Sequence, residues 1–303
     1  MGILSTSPTF LVGSLEAIFG IIFFPSFFHL SVRLTNYVFR HRSLPPGDVL
    51  DICNKLVSAV FALLSVSVGL SVLRNCGDAV MTEVHPIVRH YMCFGLSYFL
   101  YDIYSMYLVY SASSQGVKTS EEEKVVSSRL NLFSCLPSII IHFKTGENSM
   151  PHWLKFFRAR KIMIMHHLLI PFFGFPIFMS YRQSLGDCLI ALGFCMEAST
   201  PFVSLRAILY HLGLKSSILY LVNGLLMNIV FFICRILVFP YMYQLYANQC
   251  GLTLSQLIFT GKVPLFCNSS MLLLFLPQLY WFSLMLRGSY KVITRILTPK
   301  EKV

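Results

Sequence analysis

The stretch 217–241 reads SILYLVNGLLMNIVFFICRILVFPY and contains one charged side chain, Arg235. A helix needs about 20 mainly apolar residues to cross the roughly 30 Å hydrocarbon core of a bilayer, and this stretch meets that requirement. Six further stretches also meet it: 9–31, 55–73, 91–110, 163–181, 187–207 and 264–286. The sequence therefore predicts an all-α polytopic membrane protein with seven transmembrane helices.

The overall composition excludes the soluble classes of protein. Of the 303 residues, 55% are hydrophobic and 12% are charged, whereas soluble domains carry about 25% charged residues. Intrinsic disorder is excluded as well, because it requires low hydrophobicity and high charge. The nine cysteines show no CxxC pair and no metal-ligand spacing, which argues against a zinc site or a disulfide scaffold.

The distribution of Lys and Arg predicts the orientation of the chain in the membrane. With the N-terminus in the lumen and the C-terminus in the cytoplasm, 19 of the 24 basic residues fall in cytoplasmic segments and four in lumenal ones. Membrane proteins characteristically carry such an excess on the cytoplasmic side. The formal charge of +11 therefore needs no nucleic-acid partner to explain it.

An eighth span at Leu130–Phe143 is the main alternative to this topology. The segment contains Pro137 and is too short to cross the bilayer unaided. Inserting it as a span would also move the basic excess downstream of it to the wrong side of the membrane. We therefore place it within the cytoplasmic loop 111–162, as an interfacial or re-entrant piece.

Ionisable residues inside the predicted spans cost about 2.5–3.5 kcal/mol each, so each of them needs a partner or a role. Those in spans three to six are Asp102, His166, His167, Glu197 and Arg235, with Asp187 at the start of span five. We expect Arg235 to pair with Asp102 or Glu197, because an unpaired buried charge is too costly to keep. Asp102, Asp187, Arg235 and Asn223 are predicted to be supporting polar residues of one cavity.

The adjacent histidines His166 and His167 are the strongest candidates for chemistry. Neighbours on a helix point about 100° apart, so they cannot share one packing contact but can line one cavity. An imidazole titrates at about pH 6.5 and can take and return a proton at neutral pH. Glu197 in the next span is a carboxylate able to fix the tautomer of an imidazole and to stabilise its charged form.

Seven motifs together resemble the TLC-domain family, the fold of ceramide synthases. In chain order they are 101–107 (YDIYSMY), 166–167 (HH), 186–187 (GD), 197–203 (EASTPFV), 222–224 (VNG), 234–241 (CRILVFPY) and 277–282 (PQLYWF). The similarity is greatest to the TLC domain-containing protein 3 group. It implies a TLC domain over 51–290, with six of the helices and the loop 111–162 as an insertion. A first helix and basic loop at 1–50 precede this domain, and a cytoplasmic tail at 291–303 follows it.

The resemblance implies an N-acyltransferase that joins the acyl group of acyl-CoA to a sphingoid base. The predicted catalytic residues are His166, His167 and Glu197. The resemblance implies acyl-CoA as co-substrate, no bound cofactor and no metal. Acyl-CoA, the sphingoid base and membrane lipids are the expected partners, and assembly into homo- or hetero-oligomers stays open. The expected location is the endoplasmic reticulum membrane, with the Golgi as the second location.

One difference from the ceramide synthases favours an alternative function. Those enzymes carry two aspartates after the histidine pair, and the corresponding positions here are Phe194 and Glu197. The alternative is a non-catalytic TLC-domain lipid-binding protein that regulates sphingolipid metabolism or lipid trafficking.

Overall fold

A computed structural model of the chain describes residues 8–41, 44–116, 150–176, 179 and 185–297. Every regular element within these ranges is helical. In chain order the α-helices are α1 (Pro8–Val38), α2 (Pro46–Leu73), α3 (Pro86–Gly116), α4 (His152–Leu169), α5 (Asp187–Cys195), α6 (Thr200–His211), α7 (Ile218–Phe231), α8 (Val238–Gln249), α9 (Leu254–Thr260) and α10 (Leu265–Leu297). The predicted interfacial segment Leu130–Phe143 lies outside the described residues.

Three short segments of other helix types interrupt this series. A π-helix follows α4 at Ile170–Gly174, a second one joins α7 to α8 at Phe232–Leu237, and a 3₁₀ turn joins α5 to α6 at Met196–Ser199. The prolines within or close after these segments are Pro171, Pro176, Pro201 and Pro240. A proline cannot donate the backbone hydrogen bond to the residue four positions earlier, which loosens an α-helix at that point.

Five helical segments among the described residues are long and apolar enough to cross a membrane. They are Gly13–Val38, Pro46–Leu73, Asp187–His211, Ile218–Gln249 and Leu265–Val292. The other two predicted spans fall on α3 and on α4 with its π-helix, which carry more polar side chains than the five. The protein is therefore a multi-pass membrane protein that is all-helical over the residues described.

Aromatic side chains from α1, α2, α3 and α5 form the core of the bundle. Phe24 of α1 is fully buried against Phe61 of α2 and Tyr98 of α3. The rings of Phe61 and Tyr98 stack with their centroids 3.8 Å apart. Phe194 of α5 meets the ring of Tyr91 edge-on, with centroids 5.0 Å apart. These rings hold the helices that carry the polar cluster described below.

Two glycines allow the helices to approach one another closely. Helices in lipid gain little from burying apolar surface, so their association depends on close packing at small residues. A Cβ atom at Gly20 would lie 2.5 Å from the carbonyl oxygen of Phe94. A Cβ atom at Gly69 would lie 2.7 Å from the carbonyl oxygen of Ala191. Any larger residue at either position would therefore push two helices apart.

A disulfide joins Cys76, in the loop after α2, to Cys188 at the start of α5. The absence of a CxxC pair and of metal-ligand spacing predicted no disulfide scaffold, and it did not reveal this single bond. The two cysteines are 112 residues apart in the chain, and folding brings their Cα atoms to 6.1 Å. The spacing of cysteines along the sequence does not reveal which distant cysteines form a bond.

Candidate functional site

His167 and Asp102 form a buried pair between α4 and α3. Nδ1 of His167 lies 3.2 Å from Oδ2 of Asp102, and both residues are buried. The distance suits an ion pair, although the alignment falls short of a well-formed hydrogen bond. The other carboxylate oxygen, Oδ1, accepts a hydrogen bond from Nδ2 of Asn54 at 3.1 Å. Asp102 is therefore fixed between an amide on α2 and an imidazole on α4.

Asn54 connects the residues of this arrangement by hydrogen bonds, and it was not among the predicted site residues. Its Oδ1 accepts hydrogen bonds from the hydroxyls of Ser105 at 2.8 Å and Tyr101 at 3.2 Å. The amide is 1% exposed, and both of its ends are used. Sequence reasoning missed it because the predicted span began at residue 55, one position later. A buried amide in an apolar helix was the signal that could have revealed it.

Arg235 pairs with Glu197, one of its two predicted partners. Its Nη2 donates to Oε2 of Glu197 at 3.0 Å and to Oγ1 of Thr200 at 2.9 Å. Its Nε donates to Oγ of Ser199 at 2.9 Å, and its Nη1 to Oε1 of Gln278 at 3.3 Å. All three guanidinium nitrogens thus have partners, which is the condition for keeping a buried charge.

In the structure the carboxylate beside His167 is that of Asp102, whereas Glu197 lies against Arg235. Oε2 of Glu197 accepts from Thr200 at 2.6 Å as well as from Arg235, so this carboxylate is directed at the guanidinium. The physical reason lies in the 3₁₀ turn that contains it. A 3₁₀ helix turns about 120° per residue rather than 100°. The direction in which Glu197 points therefore differs from the one that a continuous α-helix predicts.

His166 lies between these two groups of side chains. Its ring meets Trp281 of α10 edge-on, with centroids 5.1 Å apart, and its centroid is 5.8 Å from that of His167. Its Nδ1 is buried and has no hydrogen-bond partner within the part of the chain that is described.

The irregular helix segments converge on the same place. The π-helix Ile170–Gly174 begins three residues after His167, the 3₁₀ turn contains Glu197, and the second π-helix contains Arg235. Departures of this kind from the α-helix are frequent at functional sites. They leave backbone carbonyls without their usual partners, and membrane proteins tolerate this where the backbone is buried in protein or lines a cavity.

Two predicted supporting residues, Asp187 and Asn223, do not join the cluster, and neither does Phe194. Phe194, at the first aspartate position, packs in the aromatic core. Asp187 accepts from the backbone N–H of His85 at 2.6 Å, about 15 Å along the helix axis from Glu197. Asn223 donates to the carbonyl of Phe202 at 2.9 Å and so ties α7 to α6. The interactions of Asp187 and Asn223 fix the positions of neighbouring segments.

The cluster can move a proton within the membrane. A carboxylate against Nδ1 of an imidazole favours the tautomer in which Nε2 carries the lone pair, and it stabilises the protonated ring. The Arg235–Glu197 pair places two opposite charges beside the second imidazole. The arrangement suits general acid–base chemistry on a lipid-soluble substrate.

One comparison with known proteins bears on this cluster. The TLC-domain family model matches residues 51–287 of the chain. The matched segment contains both histidines and the polar residues that surround Asp102 and Arg235. No solved structure matches the chain.

Proposed function

Because the chain belongs to the TLC-domain family, we propose that it is a ceramide synthase-like N-acyltransferase. The proposed reaction joins the acyl group of acyl-CoA to the amino group of a sphingoid base, and the proposed subgroup is the TLC domain-containing protein 3 group. The observation that supports catalysis best is the buried contact between His167 and Asp102. The hydrogen bond from Asn54 holds the carboxylate of Asp102 in place against this imidazole.

The geometry suggests one role for each imidazole. The sphingoid amine attacks the thioester carbonyl, and Nε2 of His167 accepts the proton that the amine loses. Asp102 stabilises the resulting imidazolium. Collapse of the tetrahedral intermediate breaks the C–S bond, and the proton passes to the departing thiolate sulfur of CoA. His166, with its free Nδ1, is the group that remains to hydrogen-bond the carbonyl oxygen as negative charge develops on it.

The proposed topology has seven spans, a lumenal N-terminus and a cytoplasmic C-terminus, in the endoplasmic reticulum or Golgi membrane. The excess of basic residues supports it. The disulfide supports it independently, because Cys76 and Cys188 both fall on the lumenal side, where disulfides persist. In this orientation the cytoplasmic basic residues face the anionic CoA group. The two acyl chains stay in the bilayer, and no bound cofactor, metal or nucleic acid takes part.

The alternative, a non-catalytic lipid-binding regulator, also has an observation in its favour. Phe194 occupies an aspartate position of the ceramide synthases and lies in the core, and Glu197 at the other position is neutralised by Arg235. Neither position can therefore supply a free carboxylate. The alternative predicts lipid binding without turnover.

An assay with purified protein in defined lipid separates the two functions. The wild-type protein is incubated with sphinganine and a panel of acyl-CoAs, and N-acylated product is measured by mass spectrometry. We expect product from the wild type and none above background from His166→Ala or His167→Ala. His152→Ala is the matched control, because His152 lies on the same helix and is exposed. An inert wild type that still alters ceramide levels in cells would favour the regulator.

A further inference from the structure

A second cluster of ligand-type side chains lies far from the histidine pair. It consists of Cys76, Glu83 and His85, in the loop between α2 and α3, and of Cys188 at the start of α5. One donor atom from each residue lies within 4.8 Å of all the others. In the structure the two sulfur atoms are bonded to each other as a disulfide.

Three of the distances between donor atoms are close to the edges of a tetrahedral zinc site. Sγ of Cys76 lies 3.7 Å from Nε2 of His85, and this nitrogen lies 3.6 Å from Oε2 of Glu83. Sγ of Cys188 lies 3.9 Å from the same glutamate oxygen. With Zn–S bonds of about 2.3 Å and Zn–N and Zn–O bonds of about 2.1 Å, the edges of a tetrahedral site measure about 3.4–3.8 Å. To form such a site, the two bonded sulfur atoms would have to move apart to about 3.8 Å.

Glu83 and His85 are held in place without the help of the disulfide. Both carboxylate oxygens of Glu83 accept from the backbone N–H of Gly77, at 2.9 and 3.0 Å. The backbone N–H of His85 donates to Asp187 at 2.6 Å. Such outer hydrogen bonds orient the ligands in metal sites. The carboxylate of Glu83 and the backbone of His85 would therefore stay in position when the sulfurs separate.

The disulfide by itself gives no reason for these neighbours. A disulfide sulfur carries no proton, so it cannot donate a hydrogen bond to the carboxylate of Glu83. Two thiolates, an imidazole and a carboxylate are instead a ligand set that suits zinc, because the soft sulfur and nitrogen donors exclude Ca²⁺ and Mg²⁺.

We propose that Cys76, Glu83, His85 and Cys188 form a redox-dependent zinc site, in which the disulfide and the metal are alternative states. A small thiol or dithiol reductant supplies two electrons and two protons, so the disulfide becomes two thiols while the reductant becomes a disulfide. Zn²⁺ then binds both sulfurs as thiolates and releases the two protons to solvent. The zinc ion restores the link between the loop and α5 that reduction removes.

Zinc binding by the purified full-length protein tests this proposal. The protein is reduced without oxygen, stripped of metal, given one equivalent of Zn²⁺ and desalted, and the retained zinc is counted by elemental mass spectrometry. We expect about one zinc per reduced chain and none per oxidised chain. Co²⁺ in place of zinc should show the visible bands of a tetrahedral thiolate site, and zinc should raise the melting temperature of the reduced form alone.

Matched variants locate the bound metal. His85→Ala and Cys188→Ser should weaken zinc binding by more than about tenfold, since each lacks a ligand. Asp78→Asn, an exposed carboxylate of the same loop, and Cys267→Ser, an exposed free cysteine, should bind as the wild type does. His85→Ala retains both cysteines, so the melting temperature of its oxidised form checks that it folds.

Three results would overturn the proposal. The first is a reduced wild type that retains no zinc. The second is equal retention by wild type, His85→Ala and Cys188→Ser, which would assign the metal to other cysteines. The third is a reduced protein that loses its fold and does not regain it when zinc is added.

Discussion

Nδ1 of His167 lies 3.2 Å from Oδ2 of Asp102, and the two side chains come from helices that are adjacent in the bundle. The contact determines which carboxylate can act on the histidine pair. Asn54 extends it to a third helix by donating to Oδ1 of Asp102. Three helices thus share one buried polar unit, and its integrity can be tested one member at a time.

Asp102→Asn should abolish most of the N-acylation activity while the protein stays folded. The amide keeps the shape of the carboxylate but loses the charge that stabilises the imidazolium of His167. We expect kcat to fall by about 10²- to 10⁴-fold with a small change in KM. Asp51→Asn is the matched control, because Oδ2 of Asp51 contacts Nε2 of His211 at 2.7 Å outside the site. Equal losses in both variants would assign Asp102 a structural role only.

Arg235→Leu should destabilise the protein through the charge that it leaves unpaired on Glu197. Removing one member of a buried ion pair costs about 3–5 kcal/mol. Because Glu197 is partly exposed, we expect the cost here to be at or below the lower end of that range. Adding Glu197→Gln should recover part of the lost free energy of unfolding, measured in detergent by denaturant titration. Adding Asp102→Asn should give no recovery, since Asp102 does not contact Arg235. Recovery with Asp102→Asn instead would contradict the pairing.

A single cut in the loop 117–149 should leave the two fragments covalently joined. Cys76 lies before this loop and Cys188 after it, so the disulfide bridges any cut there. In sealed microsomes, protease added from outside should cleave the loop if it is cytoplasmic. The product should migrate as one band on a non-reducing gel and as two bands after reduction. Cys76→Ser should give two bands in both conditions, and a loop that resists cleavage would contradict the orientation.

Gly69→Ala should lower stability although it adds only one methyl group. The new Cβ would lie 2.7 Å from both the carbonyl oxygen of Ala191 and Sγ of Cys195, so α2 and α5 must separate. We expect a loss of about 1–3 kcal/mol in the free energy of unfolding. Gly288→Ala is the matched control, since a Cβ there meets no neighbouring atom within 4 Å among the described residues. That variant should be neutral or slightly stabilised by the higher helix propensity of alanine.

The sequence by itself determined the class of the protein. Segments such as 217–241 are too long and too apolar for anything except a transmembrane helix or a deeply buried one, and this property is local. The cost of a charge in lipid also singles out Arg235 and the carboxylates as residues that need partners. These inferences hold because they depend on neighbours along the chain, whatever the arrangement of the helices.

Only the tertiary structure decided which polar residues meet. The pairing of Arg235 with Glu197, and of His167 with Asp102, depends on how each helix is rotated about its axis. The 3₁₀ turn and the π-helices change that rotation by amounts that hydropathy does not record. The hydrogen bond from Asn54 and the bridge from Cys76 to Cys188 are set in the same way. Contacts between distant segments follow from the packing of whole helices, and local sequence patterns contain no measure of that packing.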